Sequence, residues 1–199
     1  MNQNKKIIGL TGSIATGKSL VSKYLSDKGL KVIDADKMAR VAAEKKEVID
    51  KIKLAFGDDI YNGKELDRDK LGKIIFKDDS EREKLNSIMF PVIYKLINDE
   101  IKRNDGIIFV DIPLLFENEE INSENNLFFD EIWLVYLDRD TQVERLMLRD
   151  NIDRDYAKEK ISSQISVEEK KKKSDVIIDN SGDIKKTYEQ VDEFLGKLK

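Results

Sequence analysis

The densest chemistry in this chain lies in Gly12-Ser13-Ile14-Ala15-Thr16-Gly17-Lys18-Ser19. Glycine at the first and sixth places lets the main chain turn where a Cβ would obstruct it, so that successive N–H groups converge on one point. Those amides, with the positive end of a helix starting near Lys18, make a cradle for phosphate oxygens. The Lys18 ammonium would reach the outer phosphates, and the Ser19 hydroxyl is a hard oxygen suited to Mg²⁺. The pattern G-x-x-x-x-G-K-[ST] is met in full, with an apolar run before it and an amphipathic helical pattern after it.

Other polar residues follow apolar runs. Ile33-Asp34-Ala35-Asp36 closes the second run. In an open α/β sheet, ligands sit beyond the carboxyl ends of the strands, so Asp36 is a candidate to accept an alcohol proton; the alternative is that Asp34 or Asp36 caps the next helix. Asp111 ends Ile107-Ile108-Phe109-Val110 and would hold Mg²⁺ directly or through water, or else close a strand-end turn. Ile112–Glu117 continues apolar, as pocket lining or as core. Arg145 and Arg149 are four apart and share a helix face. They could close over a nucleotide, one stacked on the base and one on phosphates, or pair on the surface with Glu144 or Asp150. Asp179-Asn180-Ser181-Gly182 is either a contact for the base edge or a plain turn. The run Glu168–Lys173, EEKKKK, reads as a solvated helix face, with a phosphate-facing role as the alternative.

Composition narrows the chemistry. The 199 residues contain no Cys and no His, which removes disulfides, thiol catalysis, Ser-His pairs and the usual zinc sites. A general base must then be Asp, Glu, Lys or Tyr. A net charge of −4 argues against a general nucleic-acid surface. There is no apolar run long enough to span a bilayer, and Ile7–Leu10 is too short for a signal-peptide core, so a soluble, cytoplasmic protein is expected with no membrane partner. The oligomeric state stays open.

The elements that must position these residues are legible as short apolar runs at Lys6–Leu10, Lys31–Ile33, Ile107–Val110, Glu131–Leu137 and Val176–Ile178. Helical patterns separate them, which predicts an α/β fold with a five-stranded parallel sheet flanked by helices. Lys37–Gly106 is far longer than the dozen or so residues a simple crossover needs. It predicts a helical insertion with helices over Met38–Phe56, Arg68–Phe76 and Glu81–Arg103, the last interrupted at Pro91. Arg139–Lys173 predicts a smaller helical excursion. The chain lacks a guanine-specifying N/T-K-x-D motif on a late strand, which weighs against a GTPase switch.

Taken in order, the segments IGLTGSIATGKS (Ile8–Ser19), VIDADKMAR (Val32–Arg40), LDRDKLGKIIF (Leu66–Phe76), LNSIMFPVI (Leu85–Ile93), IPLLFE (Ile112–Glu117), ERLMLRD (Glu144–Asp150) and VIIDNSG (Val176–Gly182) resemble the dephospho-CoA kinase family over nearly the whole chain. The resemblance implies a P-loop kinase in three parts: a nucleotide core (1–36, 106–138 and 174–199), a helical acceptor domain (37–105) and a lid (139–173). It implies ATP and Mg²⁺, and phosphorylation of the ribose 3′-hydroxyl of dephospho-CoA. Asp36, Lys18 and Arg149 are then the expected catalytic set. Gly12, Ser13, Ile14, Ala15, Thr16, Gly17, Lys18, Ser19 and Leu20, with Arg145 and Asn180, would bind ATP. Asp34, Arg40, Arg68 and Leu114 would bind the acceptor, and Ser19 and Asp111 the metal. Gln164 falls in the lid without an assigned role. Two positions depart from the pattern: Phe90 stands where relatives often have His, and Leu20 where Thr often follows the loop. The insertion's size suits a long acceptor, such as a nucleotide with a pantetheine tail. A kinase for a nucleoside monophosphate or another small metabolite is the alternative.

Overall fold

The computed structural model describes residues 5–62 and 65–198. The chain divides into two units, Met1–Asp34 with Ile101–Lys199, and Ala35–Glu100.

In the first unit, β1 (Lys6–Gly12) leads through the glycine loop into α1 (Lys18–Asp27), and β2 (Lys31–Asp34) follows. The second unit holds α2 (Ala35–Ala43), α3 (Lys46–Phe56), a two-stranded antiparallel hairpin of β3 (Tyr61–Asn62) and β4 (Glu65–Leu66), α4 (Arg68–Ile75) and most of α5 (Asp79–Arg103). The first unit resumes with β5 (Ile107–Asp111), α6 (Glu119–Glu124), β6 (Glu131–Tyr136), α7 (Arg139–Asp150), α8 (Arg154–Ser162), α9 (Val167–Lys172), β7 (Val176–Asp179) and α10 (Ile184–Lys197).

The five strands of the first unit form one sheet in the order β2-β5-β1-β6-β7, every pair parallel. Parallel strands covered on both faces read as continuous apolar runs, which is why they were visible in the sequence. Ile8, Leu10, Phe109, Trp133, Val135 and Ile178 are fully buried, together with Val21 and Leu25 of α1 and Val191 of α10. Phe109 and Phe194 each meet Trp133 edge-on, at 5.1 and 5.9 Å between ring centres. Because all strands run the same way, Gly12, Asp34, Asp111, Tyr136 and Asp179 end at one edge.

The second unit has its own core of Val48, Ile52, Ile60, Tyr61 and Leu71. Three expectations need correction there. Met38–Phe56 is two helices, because Lys45 takes an extended conformation (φ −71°, ψ 133°) and starts α3 afresh. The hairpin was not foreseen, since strands of two residues leave no periodicity to read. The helix carrying Pro91 is not interrupted: α5 runs through it. Proline forfeits the bond to the carbonyl four residues back. Here that residue, Ser87, is exposed, and so is Pro91, which leaves the freed carbonyl on the water side. Phe90, on the preceding position, packs edge-on against buried Tyr94 at 6.0 Å.

Candidate active site

The loop between β1 and α1 is built from its own turn chemistry and then braced from outside. Thr16 folds back on Ser13, its Oγ1 donating to Ser13 O at 2.9 Å. Gly17 has φ 89°, a left-handed angle that glycine adopts without penalty, and it stands immediately before the first turn of α1. Ala15 is also left-handed, at φ 62°. A Cβ-bearing residue pays about 1–2 kcal/mol for that, so neighbouring structure must hold it. Ile14 and Ala15 pack against Val143, Leu146, Ala157 and Ile161 of α7 and α8.

Asn180 supplies a second brace. It is 3% exposed, and its Nδ2 donates to Thr16 O at 2.7 Å while its Oδ1 accepts from Thr187 Oγ1 at 2.9 Å. Arg145 donates to its carbonyl at 3.0 Å. The Asn180 side chain therefore bridges the loop and α10. It supports the loop from outside.

Lys18 and Asp111 meet at the sheet's carboxyl edge. The ammonium and carboxylate form a close ion pair, with side chains 15% and 6% exposed. Asp111 lies beside Leu10 of β1 and in register with Asp34 of β2. Ser19 is exposed in the first turn of α1, with Leu20 next to it. A serine hydroxyl with one or two carboxylates is the sparse, hard-oxygen donor set that suits Mg²⁺, which takes most of its remaining ligands from phosphates and water. Among the described residues, no group of three or more His, Cys, Asp or Glu side chains is placed to hold a metal ion.

The helices after β6 are positioned by their caps. Asp138 accepts from Thr141 N at 3.0 Å and starts α7; Asp153 accepts from Tyr156 N at 2.8 Å and starts α8. Hydrogen bonds from Thr141 hold the Asp138 carboxyl below the usual range. Arg145 is turned in toward Asn180. Arg149 is 59% exposed and pairs with Asp150 at 2.8 Å, the surface pairing weighed above; that bond raises the guanidinium's pKa and lowers the carboxylate's.

The segment after β5 divides its roles. Ile112, Leu115 and Phe116 are buried, while Leu114 is exposed. Glu117 accepts from Ile165 N at 3.0 Å and pairs with Lys170 Nζ at 2.8 Å. The charge run is thus not a uniformly solvated face. Lys170 is fully buried, whereas Lys172 is exposed and pairs with Glu169. Three contributors were missed in the sequence: Thr187, Glu117 as a tether, and Lys170. A lysine in a row of four gives no sign of which one faces inward.

In the second unit, Asp36 occupies the first turn of α2, where a carboxylate is favoured by the helix dipole. Two adjoining clefts, of about 550 and 430 Å³, share Arg40, Ala43, Leu66 and Arg68. The first is otherwise polar, with Glu44, Asp67 and Asp69. The second carries Asp36 at one wall and Leu71, Ile75, Phe76 and Met89 elsewhere. Asp67 caps α4 by accepting from Lys70 N at 3.0 Å, which sets where Arg68 begins the helix.

Comparison with known proteins agrees with this construction. The dephospho-CoA kinase family model matches residues 6–186. A dephospho-CoA kinase of Fusobacterium nucleatum is 44% identical over 94% of this chain and 96% of its own. Among solved structures, a Thermus thermophilus protein superposes with a TM-score of 0.84 at 29% identity, covering 99% of this chain and 100% of its own. Dephospho-CoA kinase from Campylobacter jejuni gives 0.65 at 27% identity, covering 98% and 97%. With a G-x-x-x-x-G-K-[ST] loop at the edge of a five-stranded parallel sheet and a match that runs through both units, this chain belongs to the dephospho-CoA kinase family.

Proposed function

We propose that the chain transfers the terminal phosphoryl group of ATP to the ribose 3′-hydroxyl of dephospho-CoA, giving coenzyme A and ADP, the final step of coenzyme A synthesis. The observation that carries this reading is the meeting of Lys18 with Asp111 beneath the braced loop, in a chain of this family.

The loop from Gly12 to Ser19, with Leu20, holds the triphosphate, and Lys18 offsets charge on its outer phosphates. Bound Mg²⁺ neutralises phosphate charge; Ser19 and Asp111 are the residues that would hold it, Asp111 directly or through water. The acceptor oxygen forms its bond to the γ-phosphorus as the bond to the bridging oxygen breaks, and Asp36 takes the hydroxyl proton. A carboxylate suffices as base because the transition state is loose and catalysis is mostly positioning and charge stabilisation. Arg149 leaves Asp150 to close over the phosphates, with Arg145 beside the base. Asn180 keeps the loop in shape. Asp34, Arg40, Arg68 and Leu114 bind the acceptor; of these, Arg40 and Arg68 line the clefts of the second unit, which offer guanidiniums to its phosphates and an apolar wall to its tail. Functionally the chain is a nucleotide core, an acceptor domain and a lid over residues 139–173. Among the described residues no helix is long and apolar enough to cross a membrane.

An acceptor panel tests the reading. Purified protein with ATP and Mg²⁺ should phosphorylate dephospho-CoA in a coupled assay and leave AMP, CMP, UMP and shikimate untouched. Turnover of only a monophosphate or of shikimate would replace it with the small-metabolite alternative.

A further inference from the structure

Gln164 stands between α8 and α9 and reaches back to the phosphate loop. Its Oε1 accepts from the Ile14 amide at 3.0 Å. The next residue is tethered as well, with Ile165 N donating to Glu117 Oε1 at 3.0 Å. The same oxygen lies 2.8 Å from the buried Lys170 Nζ. Arg139, at the start of α7, donates to Ser162 Oγ at 2.8 Å at the end of α8. The α8–α9 junction is therefore pinned to the exit of β5 on one side and to the loop on the other.

The loop needs such a contact. Its tip contains left-handed Ala15, a conformation that local preference opposes. The apolar packing of Ile14 and Ala15 on α7 and α8 is non-directional: it keeps the tip near those helices without fixing which way its peptides face. A hydrogen bond is directional. The bond to Ile14 N sets the orientation of the peptide joining Ser13 to Ile14, and so of the amides that follow it into the cradle.

We propose that Gln164 is a positioning residue for phosphoryl transfer. It orients the Ser13–Ile14 peptide and thereby makes the loop's phosphate-binding geometry depend on how the α8–α9 junction is seated. The inference rests on the loop being the ATP site, as proposed above. In this role Gln164 acts through the Ile14 amide, without touching the reacting atoms.

Three variants separate this from a merely structural role. Q164A removes the side chain, Q164M keeps its length without a strong acceptor, and Q164E restores an acceptor oxygen. In ¹⁵N-labelled nucleotide-free protein, the Ile14 amide should shift and exchange faster in Q164A and Q164M, and return toward the wild-type signature in Q164E. Since small misplacements around a reacting centre are costly in rate, kcat/KM for ATP should fall about tenfold in Q164A and Q164M, with KM for the acceptor within about twofold of wild type. A lost Ile14 signature with wild-type kcat/KM for ATP overturns the proposal. So does a lowered Tm of the nucleotide-free protein with both KM values raised alike. If the wild type binds ATP but phosphorylates no acceptor, the acceptor reading alone fails. The thermal shift produced by ATP then decides: smaller in Q164M than in wild type supports the tether, and equal shifts overturn it.

Discussion

The Nδ2 of Asn180 lies where a side chain on Gly17 would have to go: a Cβ built on that glycine falls 2.1 Å from it. Gly17 is thus required twice, by its φ of 89° and by the neighbour that braces the loop. Gly17→Ala should weaken ATP binding about tenfold or more, since a left-handed alanine alone costs about 1–2 kcal/mol and the overlap adds to it. Adding Asn180→Ala removes the overlap but leaves the backbone angle, so it should restore little. Calorimetric titration with MgATP checks both, and near-normal affinity in Gly17→Ala would mean that the loop rearranges freely.

Lys18 and Asp36 are assigned different tasks and should fail differently. Lys18→Ala removes charge stabilisation and should lower kcat by about 10²–10³ or more. Asp36→Asn should lower kcat by about 10²–10⁴, the usual worth of a general base, with the Kd for ATP nearly unchanged. Steady-state kinetics with separate nucleotide-binding measurements distinguish them. An unaltered rate in Asp36→Asn would remove it as the base.

Buried Lys170 pairs at 2.8 Å with half-buried Glu117, and such pairs tolerate joint replacement better than the loss of one member. Lys170→Met should therefore cost about 1–3 kcal/mol of folding stability by leaving the Glu117 carboxylate without its cation. Glu117→Met in the same background should recover much of that, short of the bond Ile165 N would lose. Urea unfolding of the two variants checks this. No loss in Lys170→Met would mean that Glu117 is solvated without its partner.

Tyr136 donates to Glu168 Oε1 at 2.7 Å, linking β6 to α9, and this bond raises the phenol to about 12. Burial raises Tyr94 to about 12 as well. An unfolded tyrosine titrates near 10. A raised folded value means that the contribution to stability is fully present below about pH 10 and is lost as pH rises toward 12. In an alkaline phenolate titration, Tyr136 and Tyr94 should ionise late, toward pH 12, and burial raises Tyr61 as well. Tyr136→Phe and Tyr94→Phe should each remove one late step. If Tyr136→Phe removes an early step, the bond to Glu168 does not hold in solution.

Much of the site was legible in the residues because each part has a local signature. The glycine loop has fixed spacing, buried parallel strands are short apolar runs, and carboxylates follow four of them. The helix through Pro91 was misjudged because the penalty depends on whether the freed carbonyl meets water, which is a matter of which way the helix faces. The hairpin was invisible because each of its strands is only two residues long.

By itself, the sequence determined the family and its kinase class: a complete G-x-x-x-x-G-K-[ST] loop, a chain without Cys or His, and strands that must run parallel. Only the tertiary structure decided the long-range supports. Asn180 and Gln164 brace the loop from positions far along the chain, and one lysine of a run of four turns inward to meet Glu117. The reason is physical. A loop's glycines depend on backbone angles set within a few residues, whereas a buried hydrogen bond between distant segments exists only once packing has removed water from both partners.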